Sequence, residues 1–145
     1  MEKVVKVQME ATLENQGLAR AMAAAYAAEF DPTVDELTEI KTAVSEAVSN
    51  AAIHGYPGDS RGNMTLEFSR LGPDSIMIKV TDQGVGIENI ARAMEPLYTT
   101  DQGENCSGMG FTVMESFMDK LKVDSRPGEG TTVTMIKKLD TYYGF

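Results

Sequence analysis

The sequence has one cysteine, few basic residues and no long hydrophobic run. Because Cys106 has no second cysteine to pair with, an internal disulfide is excluded, and this indicates a reducing compartment. No apolar stretch with the length of a signal peptide or a membrane span follows the N-terminus, so a membrane protein is not expected. Both observations predict a cytoplasmic protein.

The shortage of positive charge also limits the partners. The chain has 13 Lys and Arg against 22 Asp and Glu, with a formal net charge of −9. Binding to a phosphate backbone needs clustered basic residues, so we expect no direct nucleic-acid partner. Hydrophobic residues make up 42% of the 145 positions, which is enough for a packed core, and the length predicts a single domain over residues 1–145.

The first part of the chain changes from an alternating to a helical pattern. Residues 4–12 alternate between apolar and polar, which predicts a half-buried strand. From about residue 15 to residue 30 the spacing is helical, and the expected apolar stripe is Leu18, Met22, Ala25 and Tyr26. The Asp31-Pro32 step ends this helix.

A second helix is predicted from Thr33, which forms a capping box with Glu36, to about Ile53. Its apolar stripe is Leu37, Ile40, Val44, Val48 and Ala51. Residues 64–68 and 76–80 then alternate on either side of a Gly-Pro-Asp turn, which predicts a hairpin.

The C-terminal half begins with a poorly patterned stretch. Residues 83–107 have weak periodicity, with a short helix expected over residues 90–94, and we interpret residues 87–107 as a functional loop or lid. Helical spacing returns over residues 109–121, and two strands are expected near residues 122–125 and 131–139. Hairpins combined with helices predict a two-layer α+β sandwich.

Four short patches contain residues with chemical potential, and the second helix holds the first. Glu46, Asn50 and His54 are spaced by four, so an α-helix places them in one polar row. A carboxylate, an amide and an imidazole in one row can serve a metal ion and a proton transfer. A solvated helix face is the alternative for this segment alone.

The other patches are rich in glycine. Residues 82–86 (Asp-Gln-Gly-Val-Gly) put a carboxylate that can accept from an exocyclic amine at a strand end, although a plain turn explains them too. Residues 107–111 (Ser-Gly-Met-Gly-Phe) precede a helix whose N-terminus favours phosphate, although a flexible helix start is the alternative. Residues 128–132 (Gly-Glu-Gly-Thr-Thr) are, taken alone, a hairpin turn.

The four patches together, in this order, resemble the N, G1, G2 and G3 boxes of the Bergerat-type (GHKL) ATPases. Residues 95–100 (Glu-Pro-Leu-Tyr-Thr-Thr) also look like the lid segment of that superfamily. Residues 31–51 and 107–115 are similar to the family of sporulation anti-sigma-F factors, and this resemblance covers nearly the whole chain. It implies a mostly antiparallel, mixed sheet covered by helices on one face.

The resemblance also implies an activity and its residues. It implies a protein serine kinase that uses ATP and Mg²⁺, phosphorylates an anti-anti-sigma factor, binds a sigma factor and forms a homodimer. Glu46 would be the catalytic base, Asn50 the Mg²⁺ ligand, and Arg20 a partner-binding residue. The remaining nucleotide-binding residues implied by the resemblance are Asp82, Gly84, Gly86, Thr99, Thr100, Ser107, Gly108, Met109, Gly110 and Thr131.

Two positions depart from the family pattern. Cys106 stands where relatives commonly have a basic residue, and Asp101 stands where many related lids have Lys. Both differences remove positive charge that phosphoryl transfer uses. A nucleotide-gated sigma-binding module with little kinase activity is therefore an alternative, as is a stress-response anti-sigma kinase of the same family. The ATP domain of a longer histidine kinase is a third alternative.

Overall fold

A computed structural model describes residues 3–57, 61–95 and 110–140 of the chain. The strands are β1 (Val4–Glu10), β2 (Asn63–Leu71), β3 (Ser75–Asp82), β4 (Lys120–Ser125) and β5 (Thr131–Lys138). The α-helices are α1 (Gln16–Ala28), α2 (Val34–Asn50), α3 (Ile90–Ala93) and α4 (Gly110–Phe117). A 3₁₀ turn (Leu13–Asn15) precedes α1, and a π-helical turn (Ala51–Gly55) follows α2. Among the described helices, none has the length and apolar character needed to cross a bilayer.

The five strands form one sheet in the order β1-β2-β3-β5-β4. The predicted hairpin is confirmed, since β2 pairs with β3 in antiparallel register and Leu66 lies opposite Val80. All four neighbouring pairs are antiparallel, so the expectation of a mixed sheet is wrong for the described strands. At the other side of the sheet, β5 folds back from β4 and lies between β4 and β3, antiparallel to both.

The helices cover one face of this sheet, which confirms the two-layer α+β sandwich. On β3, burial alternates so that Ile76, Ile78, Val80 and Asp82 point into the core and the residues between them do not. Apolar residues with this alternation bury one face of each strand against the helix layer. Asp82 is therefore the last position on the buried side of the central strand.

Helix α2 forms as the sequence predicts at its N-terminus and along its stripe. Thr33 Oγ1 accepts from the Glu36 backbone N–H at 3.0 Å, and the Glu36 carboxylate accepts from the Thr33 N–H at 2.8 Å. This capping box satisfies two backbone donors that would otherwise lack partners. Ile40, Val44 and Val48 are buried in the core, as the stripe predicts.

The predicted stripe of α1 is partly wrong. Tyr26 is buried, but Leu18 is 53% exposed and Ala25 is also exposed. The buried residues of this helix are Ala19, Ala23, Tyr26 and Ala27. Helix α1 packs against α2, where Ala43 and Ala47 are buried. Small side chains on both helices allow the two helix axes to lie close together. The residues buried between the helices are therefore alanines and not the larger apolar residues.

The helix predicted to reach Leu121 ends at Phe117, and Leu121 lies in β4. The Lys137 Nζ donates to the Phe117 carbonyl at 2.8 Å, and the Asp119 N–H donates to the Ile136 carbonyl at 2.8 Å. The Met118 N–H still donates to the Met114 carbonyl, so contacts with β5 replace the helical hydrogen bonds from Asp119 onward. The short helix expected over residues 90–94 is confirmed as α3.

The close contact between α1 and α2 predicts a difference between two identical substitutions. Ala23→Leu adds three carbons at a position with no exposed surface, and overpacking of this kind costs about 1–3 kcal/mol of unfolding free energy. Ala25→Leu, on the exposed side of the same helix, should change it by less than about 0.5 kcal/mol. Urea unfolding of both variants measures the difference, and equal midpoints would contradict the packing described for α1.

Candidate functional site

Glu46 and Asn50 lie together at the N-terminus of α4. A Cβ placed on Gly110 would lie 3.3 Å from Glu46 Oε2 and 3.2 Å from Asn50 Oδ1. Both side chains therefore face the first described residue of α4 across a gap that glycine keeps open. The predicted convergence of Glu46 and Asn50 with Gly110 is present in the structure, and Glu46 does not lie on a solvated helix face.

Half-burial changes the acid–base properties of Glu46. Desolvation raises the pKa of its carboxyl group above the ordinary value for glutamate. No ion pair to this carboxylate is found within the described residues. A carboxylate with a raised pKa accepts a proton more readily than an exposed glutamate, which suits a general base.

His54 lies beyond the α-helical part of the predicted polar row. Helix α2 ends at Asn50, and residues Ala51–Gly55 form a π-helical turn with i→i+5 hydrogen bonding. His54 is therefore in the π-helical turn, whereas Glu46 and Asn50 are in α2. Turns of this kind are frequent at functional sites.

Asp82 forms the second part of the site. It is 6% exposed, and its Oδ1 accepts from the Gly84 backbone N–H at 2.9 Å. Desolvation raises the pKa of this carboxyl group, and backbone hydrogen bonds from Gly84 and Thr131 oppose the rise. A buried carboxylate with remaining acceptor capacity can bind an amine donor of a ligand.

The glycines after Asp82 are needed for contacts within the protein. A Cβ on Gly84 would lie 1.9 Å from the Gly55 carbonyl oxygen. Gly86 has φ +76°, and a Cβ there would lie 2.0 Å from the Arg126 carbonyl oxygen. The loop lies so close to the backbone at Gly55 and at Arg126 that only glycine fits at positions 84 and 86.

Thr131 lies beside Asp82 at the same end of the sheet. The two residues are paired across β3 and β5, and Thr131 Oγ1 is 2.7 Å from Ser125 Oγ. Ser125 Oγ also accepts from the Ile87 N–H and donates to the Gly130 carbonyl, each at 2.8 Å. These contacts connect the loop after Asp82 to the β4–β5 turn.

A cavity of about 410 Å³ opens at this corner of the fold. Its lining includes Asp82, Ile90, Ser125, Gly130 and Thr131, but not Glu46 or Asn50 among the residues described. A volume in this range is typical of small-molecule sites. The cavity is therefore a candidate binding region at Asp82 and Thr131, and Gly110 with its two polar neighbours is a second candidate region.

Two residues of this site were not predicted from the sequence. Tyr56 accepts from the Gln83 N–H at 2.7 Å, and Ser125 makes the contacts given above. Neither belongs to a motif, and both act on segments distant in sequence. The only sequence signal for Tyr56 is that it directly follows Gly55, near which the sequence predicts the end of the second helix.

Five of the predicted nucleotide-binding residues lie outside the described ranges: Thr99, Thr100, Ser107, Gly108 and Met109. Asp101 and Cys106 also lie outside them. Arg20 is on α1, where its guanidinium donates to Ser45 Oγ at 3.2 Å. Arg20, the predicted partner-binding residue, is therefore hydrogen-bonded to Ser45, which directly precedes Glu46.

The oxygen-bearing side chains beside Gly110 suit magnesium. Mg²⁺ prefers hard oxygen ligands and keeps several waters, so it needs only one or two protein ligands. Asn50 Oδ1 offers such an oxygen beside Gly110, with the Glu46 carboxylate next to it. Within the described ranges there is no group of three or more His, Cys, Asp or Glu side chains that could hold a metal ion alone.

The chain matches the family model of the histidine kinase-like ATPase domain over residues 9–137. This range includes Glu46, Asn50, Asp82, Gly110 and Thr131. The match therefore covers both ends of the site as well as the sheet and helices that position them.

The chain is similar in sequence to several anti-sigma F factors. It is 47% identical to that of Clostridium acetobutylicum, with 96% of each chain covered. It is 50% identical to that of Clostridium perfringens strain SM101, covering 97% of this chain and 100% of the relative. The identity to that of Lysinibacillus sphaericus is 48%, with 97% and 96% covered.

Solved structures share the fold at lower identity. The RsbU and RsbW domains of Rv1364c from Mycobacterium tuberculosis give a TM-score of 0.68 at 22% identity, covering 94% of this chain and 32% of that one. The mycobacterial sensor histidine kinase MprB gives 0.57 at 22% identity, covering 73% and 74%. With this fold, and with near-complete coverage at 47–50% sequence identity, the chain belongs to the anti-sigma F factor family, built on a histidine kinase-like ATPase domain.

Proposed function

We propose that the protein is an ATP-dependent serine kinase that also binds and inhibits a sigma F-type sigma factor. Its kinase substrate would be the anti-anti-sigma factor that competes for it. The observation that carries the proposal is the pairing of Glu46 and Asn50 with Gly110 at one end of the site and of Asp82 with Thr131 at the other. The two ends provide what an adenine nucleotide requires, an acceptor for the base and a polar site for the phosphates.

At the base end, the Asp82 carboxylate accepts a hydrogen bond from the 6-amino group of adenine. The N–H of Gly84 already occupies Oδ1, so it orients the carboxylate before the nucleotide arrives. Thr131 borders the same space, and Gly84 and Gly86 keep the loop close to the protein backbone. A preoriented acceptor reduces the cost of ordering the site on binding.

At the phosphate end, Asn50 would hold Mg²⁺, which would supply positive charge against the phosphate oxygens. The N-terminus of α4, at Gly110, favours negative charge through its backbone N–H groups. Glu46 accepts the hydroxyl proton of the target serine as the serine oxygen bonds to the terminal phosphorus. The bond from that phosphorus to the bridging oxygen breaks, and ADP leaves with its electron pair. Thr99, Thr100, Ser107, Gly108 and Met109 are proposed to bind the nucleotide.

Partner binding is proposed for the surface around Arg20. Arg20 is only partly exposed, and Gln16 and Arg20 both donate to Ser45 on α2. A homodimer that binds the sigma factor is part of the proposal, supported by the similarity to the anti-sigma F factors.

A second candidate is a nucleotide-gated sigma-binding module with little kinase activity. Asp101 and Cys106 favour it, because they remove two positive charges that relatives place near the terminal phosphate. Incubation with labelled ATP and a purified anti-anti-sigma factor separates the two candidates. Label in a serine of the factor supports the kinase, while nucleotide-dependent sigma binding without label supports the module.

Glu46→Gln keeps the size of the side chain but removes its ability to accept a proton. We expect phosphorylation of the anti-anti-sigma factor to slow by about 10²–10⁴-fold, the usual contribution of a general base, with ADP affinity nearly unchanged. Glu115→Gln, at an exposed position of α4, is the control and should leave the rate unchanged. A normal rate for Glu46→Gln would remove Glu46 from the mechanism.

Asp82→Asn should separate stability from binding. The asparagine carbonyl can still accept from the Gly84 N–H, so the variant should stay folded without nucleotide. ADP affinity should fall by more than about tenfold, because a hydrogen bond to a charged acceptor is lost. Calorimetry with ADP measures the affinity, and Asp35→Asn at an exposed site is the control. Unchanged ADP affinity in Asp82→Asn would contradict the assignment.

Adenosine binding should depend on pH through Asp82. Its pKa is raised in the free protein, and the ionised form accepts more strongly from the adenine amine than the protonated form does. Affinity should therefore be full at neutral pH and fall as the pH drops through this raised pKa, at a higher pH than for an exposed aspartate. Adenosine is used because it lacks the titrating phosphates of ADP. Affinity that stays constant down to the pH of unfolding would contradict this role.

A further inference from the structure

Three consecutive backbone N–H groups after Asp82 each have a different acceptor. The Gln83 N–H donates to Tyr56 Oη at 2.7 Å, the Gly84 N–H to Asp82 Oδ1 at 2.9 Å, and the Val85 N–H to the Gly55 carbonyl at 2.9 Å. Two of the three acceptors therefore belong to adjacent residues at the end of the second helix. The conformation of this loop depends on where Gly55 and Tyr56 lie.

The Tyr56 hydroxyl is itself held in one orientation. It donates its single hydrogen to the Asn63 carbonyl at 2.8 Å, so a lone pair is directed to the Gln83 N–H. Asn63 is the first residue of β2, and the next residue, Met64, pairs with Asp82 on β3. The hydroxyl thus joins the start of β2 to the end of β3, directly beside Asp82.

The Tyr56 ring is held by the chain on its other side. A Cβ on Gly62 would lie 2.2 Å from Tyr56 Cε1 and 2.3 Å from Cζ, so any side chain at position 62 would collide with the ring. The ring also packs against the hydrophobic core. Both the ring and the hydroxyl of Tyr56 therefore have a fixed position relative to the loop.

We propose that Tyr56 is a positioning residue that orients the Asp82 carboxylate for the 6-amino group of adenine. This inference rests on the proposed function of Asp82 in nucleotide binding. Tyr56 itself need not contact the nucleotide. It fixes the Gln83 amide, the Gly84 amide follows in the chain, and the Gly84 amide binds the carboxylate. Without the Tyr56 hydroxyl, the Gln83 amide loses its acceptor, so the Gly84 amide holds the carboxylate less firmly in the orientation that the base requires.

The test compares two nucleotides on two variants. The first nucleotide is ADP, and the second is purine riboside 5′-diphosphate, which has hydrogen in place of the 6-amino group. Tyr56→Phe keeps the ring against Gly62 and removes only the hydroxyl. Tyr26→Phe is the matched control, because it removes a hydroxyl that donates to the Lys3 carbonyl at 2.7 Å, far along the sheet from Asp82.

The unchanged protein should bind ADP about tenfold or more tightly than the analogue, as expected for a hydrogen bond to a charged acceptor. In Tyr56→Phe this preference should shrink by about threefold to tenfold, while the affinity for the analogue stays the same. Tyr26→Phe should keep the full preference. A merely structural role for Tyr56 would lower both affinities together and leave their ratio unchanged.

The outcomes distinguish this inference from the proposed function. If the unchanged protein shows no preference for ADP, the role of Asp82 in reading adenine fails, and the inference fails with it. If the preference is present and Tyr56→Phe retains it, only the inference is overturned. Gly62→Ala offers a second variant: displacing the ring should reduce the preference as Tyr56→Phe does, and a retained preference with faster hydrogen exchange at the Gln83 amide would also overturn it.

Discussion

The buried carboxylate at the end of the central strand is the constraint on which the site depends. Asp82 occupies the last inward position of β3, where an apolar residue would otherwise continue the core. Burying a charged group is costly unless backbone donors compensate, and here the donors come from Gly84 and Thr131. The chain therefore has to turn tightly after Asp82 and bring β5 alongside it. Glycine is needed at positions 84 and 86 because the backbone after Asp82 lies against the carbonyl groups of Gly55 and Arg126.

Helix α2 connects this carboxylate to the other end of the site. One side of the helix contributes Ile40, Val44 and Val48 to the core, and another presents Glu46 and Asn50 to α4. The π-helical turn after Asn50 then brings the Gly55 carbonyl to the loop after Asp82. A single continuous segment thus positions Glu46 and Asn50 directly and the loop after Asp82 through the turn that follows the helix. Stability and function share the same helix, so substitutions on its buried side are expected to affect both.

The sequence predicted those features that depend on local pattern. The capping box at Thr33, the β2–β3 hairpin and the stripe of α2 are all fixed by spacing within a few residues. The convergence of Glu46, Asn50 and Gly110 was predicted from the order of the boxes, because relatives in this superfamily share that order. The described contacts agree with this part of the prediction.

Features that depend on contacts between distant segments were missed or wrong. The α1 stripe was assigned to large apolar residues, but helix–helix distance favours Ala19 and Ala23. The predicted last turn of the final helix is absent, because the Asp119 N–H donates to the Ile136 carbonyl of β5 instead of to a helical carbonyl. The proposed role of Tyr56 depends on two hydrogen bonds of its hydroxyl, to the Asn63 carbonyl and from the Gln83 N–H. No periodicity in the sequence predicts that these distant residues lie close together. Local rules therefore predict the elements, and tertiary contacts decide their ends and the orientation of the site.

The central claim is that both ends of the site bind one adenine nucleotide, and backbone amide chemical shifts during titration test it most directly. Adenosine should shift the amides of Gly84 and Thr131 but leave Asn50 and Gly110 nearly unchanged. ADP with Mg²⁺ should shift all four, with one shared saturation curve. Shifts confined to one end with ADP, or two curves with different midpoints, would contradict a single nucleotide site.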